Sequence, residues 1–383
     1  MASLVGATLT HSHYNEVARL SIFYAGHVGT GHGNALVVGS GVVGATCAFR
    51  LARHGWRVTV FDPLPGRGAT WAAAGMLAPG AEIAPGEKEN YHSQCGALES
   101  WRALSSELSQ LTHEQLGLYD TGTLLVGLDA SDRALVTQFQ SVAQEYGSDV
   151  RLETRESNPD YFVGVSPRVR EGLFVAGDGW LDPDQAMSIL AVANDALGVQ
   201  YVTREVLEIS RTGNSVGAST GDETFRGDVG ILATGARPLP AGVRGDSPRS
   251  VRPVRGTTLR VHGLDRSPAP TLRAFVHGRA FYMVSRPGGY CVLGASSDER
   301  SDATVEVGEL SRMLRDALEL VPDLDSAAFV EVRQGLRPAT HDHRPFFDVL
   351  EERWAWLSGH YRHGVTLAPL ASLEALEFAN RFS

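Results

Sequence analysis

Ala35-Leu-Val-Val-Gly39-Ser-Gly41-Val-Val-Gly44 opens a stretch that closes on Arg57-Val-Thr-Val-Phe61-Asp62, 18 positions beyond Gly44. The apolar run before Gly39 is what a strand buried on both faces of a parallel sheet requires. A helix is predicted from Val42 to about Arg53, stopping ahead of Gly55, which suits a left-handed C-terminal cap. A second strand, Arg57–Phe61, then completes a β-α-β unit.

Within that unit each glycine has a distinct task. Gly39 permits the tight turn, Gly41 lets a pyrophosphate approach the backbone, and Gly44 lets helix and strand pack closely. Amides of the helix N-terminus, at Val42 and Val43, and the helix dipole then favour phosphate. Asp62, at the end of the second strand, is placed to bind the hydroxyls of an adenosine ribose. The alternative for Asp62 is a turn residue ahead of Pro63. FAD and NAD share this fingerprint, but only one good copy is present, and an NAD(P)H-reduced flavoprotein usually needs a second. Gly230-Ile-Leu-Ala-Thr-Gly235 reads instead as a strand closing the same domain from a distant part of the chain.

Outside this core the chain is of ordinary globular composition, with 43% hydrophobic and 20% charged residues, so it folds rather than remaining disordered. At 383 residues two domains are the working number. A net charge of −10 without clustered Lys and Arg excludes a nucleic-acid footprint. Cys47, Cys95 and Cys291 form no C-x-x-C pair, which suits a reducing, cytoplasmic compartment, and no apolar run is long enough to span a membrane. Residues 1–33, with four histidines and Gly29-x-Gly31-x-Gly33, are expected to be an extension and linker, since a strand rather than a helix follows those glycines. Helical character is read at 97–116 and 131–146, a strand at 122–126, and antiparallel strands at 251–261, 280–285 and 290–294, with Gly288-Gly289 as a hairpin turn. His341-Asp-His343 lacks a third ligand, so no metal is assigned.

Arg67-Gly-Ala-Thr-Trp-Ala-Ala-Ala-Gly-Met-Leu-Ala-Pro79 resembles the corresponding segment of the glycine oxidase and D-amino-acid oxidase family of flavoproteins. Its small residues make physical sense, because a flavin and its diphosphate must lie almost against the backbone. Gly335-Leu-Arg-Pro338 and Gly359-His-Tyr-Arg-His-Gly-Val-Thr-Leu-Ala-Pro369 resemble two further family segments in the same order. The resemblance implies an α/β (α+β overall) architecture: a discontinuous Rossmann-type FAD-binding domain from 34–90, 160–240 and 331–383, and a mixed or antiparallel-sheet substrate domain from 91–159 and 241–330.

It also implies site residues. FAD is expected at Gly39, Gly41, Val42, Val43, Gly44 and Asp62; at Thr70, Ala73, Ala74, Gly75 and Met76; at Val206, Thr234 and Gly235; and at Gly359, Tyr361, Arg362, Gly364, Val365 and Thr366. The helix beginning near Gly364 turns its N-terminal amides to the flavin edge that becomes negative on reduction. Arg337 matches the family's substrate arginine, whose fork suits a carboxylate, and Tyr282 its carboxylate-binding tyrosine. Arg362 matches an arginine near flavin or substrate. His360 and His363 receive no acid/base role. Ala280 and Ser297 replace bulkier family residues and are expected to leave room on the substrate nitrogen.

The activity so implied is oxidation of glycine, an N-substituted glycine or another small amino acid. Hydride passes from Cα to flavin N5, and the imine then hydrolyses to glyoxylate and amine while oxygen becomes hydrogen peroxide. With no cysteine beyond Cys291, the FAD is expected to be non-covalent. The partners implied are the small amino acid, molecular oxygen and, as one option, a second copy of the chain, without nucleic acid or membrane. Thiamine biosynthesis is the family's commonest setting. The alternative is a D-amino-acid or secondary-amine dehydrogenase of the same fold that passes electrons to another carrier.

Overall fold

The computed structural model describes residues 32–242, 249–264, 266–302 and 304–383. The extension expected at 1–33 lies outside the described residues up to Gly31. Gly33 already belongs to the first strand, Gly33–Val38, and His32 N–H donates to the Gly55 carbonyl at 3.2 Å.

Three distant parts of the chain build a six-stranded sheet in the order Phe346–Leu350, Trp354–Ser358, Val229–Leu232, Gly33–Val38, Trp56–Phe61, Gln200–Val202. Every neighbouring pair is parallel except the first, a hairpin. The continuous apolar run at 35–38 is explained by two covered faces. Ala35 and Val37 pack with Cys47, Leu51 and Ala375 of the helices Val42–Arg53 and Gly364–Ala379. Leu36 and Val38 pack with Ile209 and Val216 of a small antiparallel sheet on the other side. Each fully buried Val, Leu or Ile side chain here stabilises the fold by roughly 1.5–3 kcal/mol.

The second large sheet has eight strands, ordered Ala328–Ala339, Arg252–His262, Tyr290–Gly294, Arg279–Arg286, Thr271–Val276, Thr123–Gly127, Glu171–Val175, Val150–Thr154. It is mixed: Thr271–Val276 runs parallel to Thr123–Gly127 and the other pairs are antiparallel. The hairpin expected at Gly288-Gly289 forms there, both glycines having positive φ.

Two strands sit in this sheet although their segments were assigned by sequence to the nucleotide-binding part. Glu171–Val175 bridges two antiparallel neighbours, and Ala328–Ala339 runs the length of Arg252–His262. Pairing across such distances leaves no local trace in the sequence. The helix expected at 97–116 runs instead from Lys88 to Thr112; its first turns are polar and carry no apolar period, and His113 ends it in the left-handed region. The helix expected at 131–146 is Ala130–Tyr146, closed by a capping box between Asp129 and Asp132. Among the described residues no helix is long and apolar enough to cross a membrane.

Candidate active site

A cavity of about 1000 Å³ runs between the two large sheets. It starts at the end of Gly33–Val38. A Cβ on Gly44 would fall 2.0 Å from the Gly39 carbonyl oxygen, so the helix enters this close only because residue 44 is glycine. Gly41, Val42 and Val43 thereby reach the cavity wall, while Gly44 stays behind it as a packing residue. The Val42 N–H is held by Thr70 Oγ1 at 3.0 Å.

Asp62 also stands on the wall. Its Oδ2 accepts Ser40 N–H at 2.8 Å and its Oδ1 accepts Leu64 N–H at 2.9 Å, with Arg237 at 3.6 Å. A carboxylate has about four acceptor sites, so capacity remains for hydroxyls of a bound ribose. Val206, Thr234 and Gly235 line the same end.

The Ala-rich segment crosses the middle of the cavity as a single turn, Ala69–Ala72, followed by Ala73, Ala74, Gly75 and Met76. With such small side chains the segment is held by its carbonyls. Arg333 donates to Trp71 O (3.1 Å), Thr258 Oγ1 to Ala72 O (2.9 Å), Arg260 to Ala73 O (3.3 Å) and Arg286 to Ala74 O (3.0 Å), all from the eight-stranded sheet. The sequence reading missed these four. Thr366, expected to touch the cofactor, donates its hydroxyl to Met76 O at 3.4 Å and supports the segment from behind. Gly359 likewise lies off the wall; a Cβ there would meet the Arg344 carbonyl oxygen at 2.7 Å.

At the far end one sheet face supplies the polar groups. Arg273, Tyr282, Gly294 and Thr258 stand opposite one another on successive strands, so their positions share a face. Arg337 lies on the adjoining strand, where its Nη1 donates to the carbonyls of Ser296 (3.1 Å) and Arg255 (3.4 Å). A Cβ on Gly256 would come within 2.3 Å of the Arg337 guanidinium, and one on Gly294 within 2.2 Å of the Tyr282 ring, so both side chains lie flat on bare backbone. Burial pushes the Tyr282 phenol up to about 12, although Arg337 nearby opposes the shift, and it remains a donor at neutral pH.

Arg362 completes this end with two groups the sequence did not flag, Glu82 and Arg273. Arg362 donates to the Glu82 carbonyl and to His363 Nε2, each at 3.3 Å, and His363 Nδ1 lies 3.2 Å from Glu82 Oε2. Arg273 stands 3.8 Å from Glu82 Oε1 and donates to the Ala81 carbonyl. Burial acts to raise the Glu82 carboxyl, but the His363 hydrogen bond and the charges of Arg273, His363 and Arg362 hold it far below the usual carboxylate range. Glu82 sits in a loop without periodicity. Arg273 could have been found as the polar alternate of Leu272, Ala274 and Val276 in a strand not recognised from sequence.

The remaining expectations divide. Gly364 and Val365, the first residues of the helix Gly364–Ala379, face the cavity, as does Tyr361, whose ring stacks on His343 at 4.6 Å. His360 is buried, and burial followed by the nearby His363 lowers it to about 4, so it is neutral at ordinary pH. Ser297 stands on the wall, 3.3 Å from the Tyr361 hydroxyl. Ala280 does not: it lies exposed two residues beyond the His277-Gly278 turn, so the space beside the substrate end owes nothing to it. No group of three or more His, Cys, Asp or Glu residues suited to a metal ion occurs among the described residues.

A bare-backbone cradle, an acid with acceptor capacity to spare and a helix N-terminus along one long cavity suit a dinucleotide carrying a redox ring. The family profile described as DAO, FAD dependent oxidoreductase, matches residues 34–376. The chain belongs to this family. As an FAD-dependent oxidoreductase it is an enzyme, as the resemblance of its segments implied. It is 29% identical over 353 residues to the glycine oxidase of Geobacillus kaustophilus (strain HTA426), covering 90% of this chain and 92% of that one. It is 26% identical over 346 residues to the glycine oxidase of Bacillus licheniformis, covering 88% and 90%. The crystal structure of glycine oxidase from Geobacillus kaustophilus superposes with a TM-score of 0.80 at 26% identity, over 92% of this chain and 96% of that one. FAD is the cofactor of this oxidoreductase.

Proposed function

We propose that the enzyme oxidises the C–N bond of glycine or a small N-substituted glycine, with the substrate carboxylate anchored by Arg337 and Tyr282. The observation that carries this reading is the state of Arg337. Its guanidinium faces the cavity and is held only by two carbonyls, with no ion-pair partner at 4 Å or less among the described residues. A planar fork of this kind matches a carboxylate bidentately, and the Tyr282 hydroxyl adds a neutral donor beside it.

Holding the carboxylate on these two groups fixes the substrate Cα toward the Ala-rich segment, and such positioning supplies much of the barrier reduction when reacting atoms are kept roughly 3–3.5 Å apart. Bound FAD supplies the two-electron acceptor. Gly41, Val42, Val43 and Asp62 would hold its adenosine diphosphate half, and Ala73 to Met76 with Gly364 and Val365 its ring. Helix N-terminal amides at Gly364 and Val365 favour negative charge nearby. Cys47 and Cys291 are buried, with thiols pushed up by burial, and none of the three cysteines lines the cavity, which supports a cofactor held without a cysteinyl link.

Overall, glycine, water and oxygen give glyoxylate, ammonia and hydrogen peroxide; an N-substituted glycine gives the primary amine in place of ammonia. The similarity to glycine oxidases over nine-tenths of the chain supports this choice. The test is stoichiometry in air-saturated buffer with glycine and sarcosine. One peroxide per glyoxylate is expected. Flavin that is reduced by substrate but reoxidised only by an added carrier would replace the oxidase with a dehydrogenase of the same site.

A further inference from the structure

Three guanidinium groups and one carboxylate meet at the substrate end of the cavity. Arg337 has carbonyl partners only. Arg362 has a carbonyl and an imidazole nitrogen. Arg273 shares Glu82 with His363, at 3.8 Å from one carboxylate oxygen while the imidazole lies 3.2 Å from the other. Arg362 is exposed to solvent, whereas Arg273 is largely shielded from water, its side chain 17% exposed. Its ion pair with Glu82 is loose and shared with His363, with Asp178 the other carboxyl nearby, so a shielded guanidinium with so incomplete a partner gains from a further anion.

Arg273 stands directly opposite Tyr282 in the antiparallel pair, so the two rise from the same face into the same cavity. Its guanidinium reaches toward the Ala81 carbonyl, on the Glu82 side of the pocket. A ligand whose first carboxylate sits on Arg337 and Tyr282 thus meets a second cation alongside the tyrosine, one strand further across the sheet.

We propose that Arg273 is a specificity-determining residue that receives a second anionic group, and that the substrate class is an amine bearing two carboxylates, the second carried on the nitrogen of an N-(carboxyalkyl)glycine. This rests on the reading of Arg337 and Tyr282 as the anchor of the first carboxylate, and deepens it. A charge-assisted hydrogen bond of this kind contributes about 1.5–3 kcal/mol, which corresponds to roughly 10- to 150-fold in affinity.

The experiment uses the FAD-loaded enzyme and two ligands that cannot be oxidised at a C–N bond: diglycolate, with a carboxylate at each end of an ether, and methoxyacetate, with one. Perturbation of the flavin absorbance reports binding of each. Diglycolate is expected to bind at least about tenfold more tightly, with the ratio collapsing toward one in Arg273→Gln and partly restored in Arg273→Lys. Should Arg273→Gln fail to fold because Glu82 is left unpaired, the double variant Arg273→Gln, Glu82→Gln carries the same test. Equal binding of the two ligands to the unaltered enzyme, or a diglycolate advantage that survives in Arg273→Gln, overturns the proposal while leaving the Arg337 anchor intact. If neither ligand binds and neither glycine nor sarcosine reduces the flavin, the underlying reading fails with it. Comparing kcat/KM for iminodiacetate, D-aspartate and sarcosine then locates the second carboxylate. A D-aspartate preference would place it on the α-carbon and contradict the N-carboxyalkyl assignment.

Discussion

Glu82 Oε2 lies 3.2 Å from Nδ1 of His363, and the other nitrogen of that imidazole receives Arg362 Nε at 3.3 Å. A carboxylate from the loop after the Ala-rich segment is thereby tied to the N-terminal turn of the helix Gly364–Ala379, across the mouth of the substrate end. Nε2 is thus the nitrogen turned to the Arg362 guanidinium and Nδ1 the one turned to the Glu82 carboxylate.

Replacing Glu82 by Gln is expected to destabilise the protein by about 3–5 kcal/mol, because Arg273 is left as a buried cation without its carboxylate. The folded carboxyl is held below its ordinary value, so its contribution is fully present above the carboxylate range of the unfolded chain and is lost as pH falls through the still lower folded value. Urea denaturation of the two proteins should give a constant gap from about pH 6 to 9 and a narrowing one at strongly acidic pH. A constant gap at every pH would show that Glu82 acts by shape, not by charge.

The opposite sign holds at Glu374, in the buried interior of the last long helix. Burial, helped by Glu377, raises its carboxyl to about 8, and its Oε1 has no hydrogen-bond partner. Stability from this group is complete below the unfolded carboxylate value and declines as pH rises toward about 8. Glu374→Gln is expected to remove a pH-dependent loss on the order of 3–5 kcal/mol between pH 5 and 8.5, seen as a higher Tm than the parent at the alkaline end. Parallel pH profiles for parent and variant would rule this out.

Gly294 and Gly256 lie under Tyr282 and Arg337, the two side chains we propose as the anchor of the substrate carboxylate. Gly294→Ala places a methyl carbon where the Tyr282 ring now rests, and Gly256→Ala does the same to the Arg337 guanidinium. Each variant is expected to retain FAD and to weaken binding of a monocarboxylate such as methoxyacetate by about tenfold, the loss of one good hydrogen bond. Unchanged ligand affinity would mean that neither side chain touches the carboxylate.

At the other end of the cavity, Asp62→Ala removes the acceptor expected to hold the adenosine ribose, along with the bonds to the Ser40 and Leu64 amides. Flavin affinity is expected to fall by roughly 10- to 100-fold, equivalent to about 1.4–2.7 kcal/mol. Equilibrium dialysis with fluorescence of the released flavin measures it.

The local parts of this architecture were open to reading from sequence. Val38 to Gly44 is a motif whose spacing, flanking strand and following helix are all contiguous, and Asp62 follows at the end of the next strand. Arg337, which lines the cavity, was singled out through the segment around it. What escaped was set by pairing between distant strands. Arg273 faces Tyr282 only because Thr271–Val276 pairs with Arg279–Arg286, and its charge faces Glu82 from 191 positions away. Ala280 failed for the complementary reason: period two along a strand gave it the correct face, but the strand leaves the cavity at its hairpin end. Arg260, Arg286 and Arg333, which grip carbonyls of the Ala-rich segment, carry no motif of their own.

Anaerobic mixing of the FAD-loaded enzyme with glycine and sarcosine, alongside Arg337→Ala at matched flavin content, tests the central claim most directly. The expected result is loss of the visible flavin absorbance in the parent enzyme and no such loss in Arg337→Ala, which still holds its FAD. Persistent oxidised flavin in the parent with every small amino acid, or bleaching of Arg337→Ala at the parent rate, would contradict it.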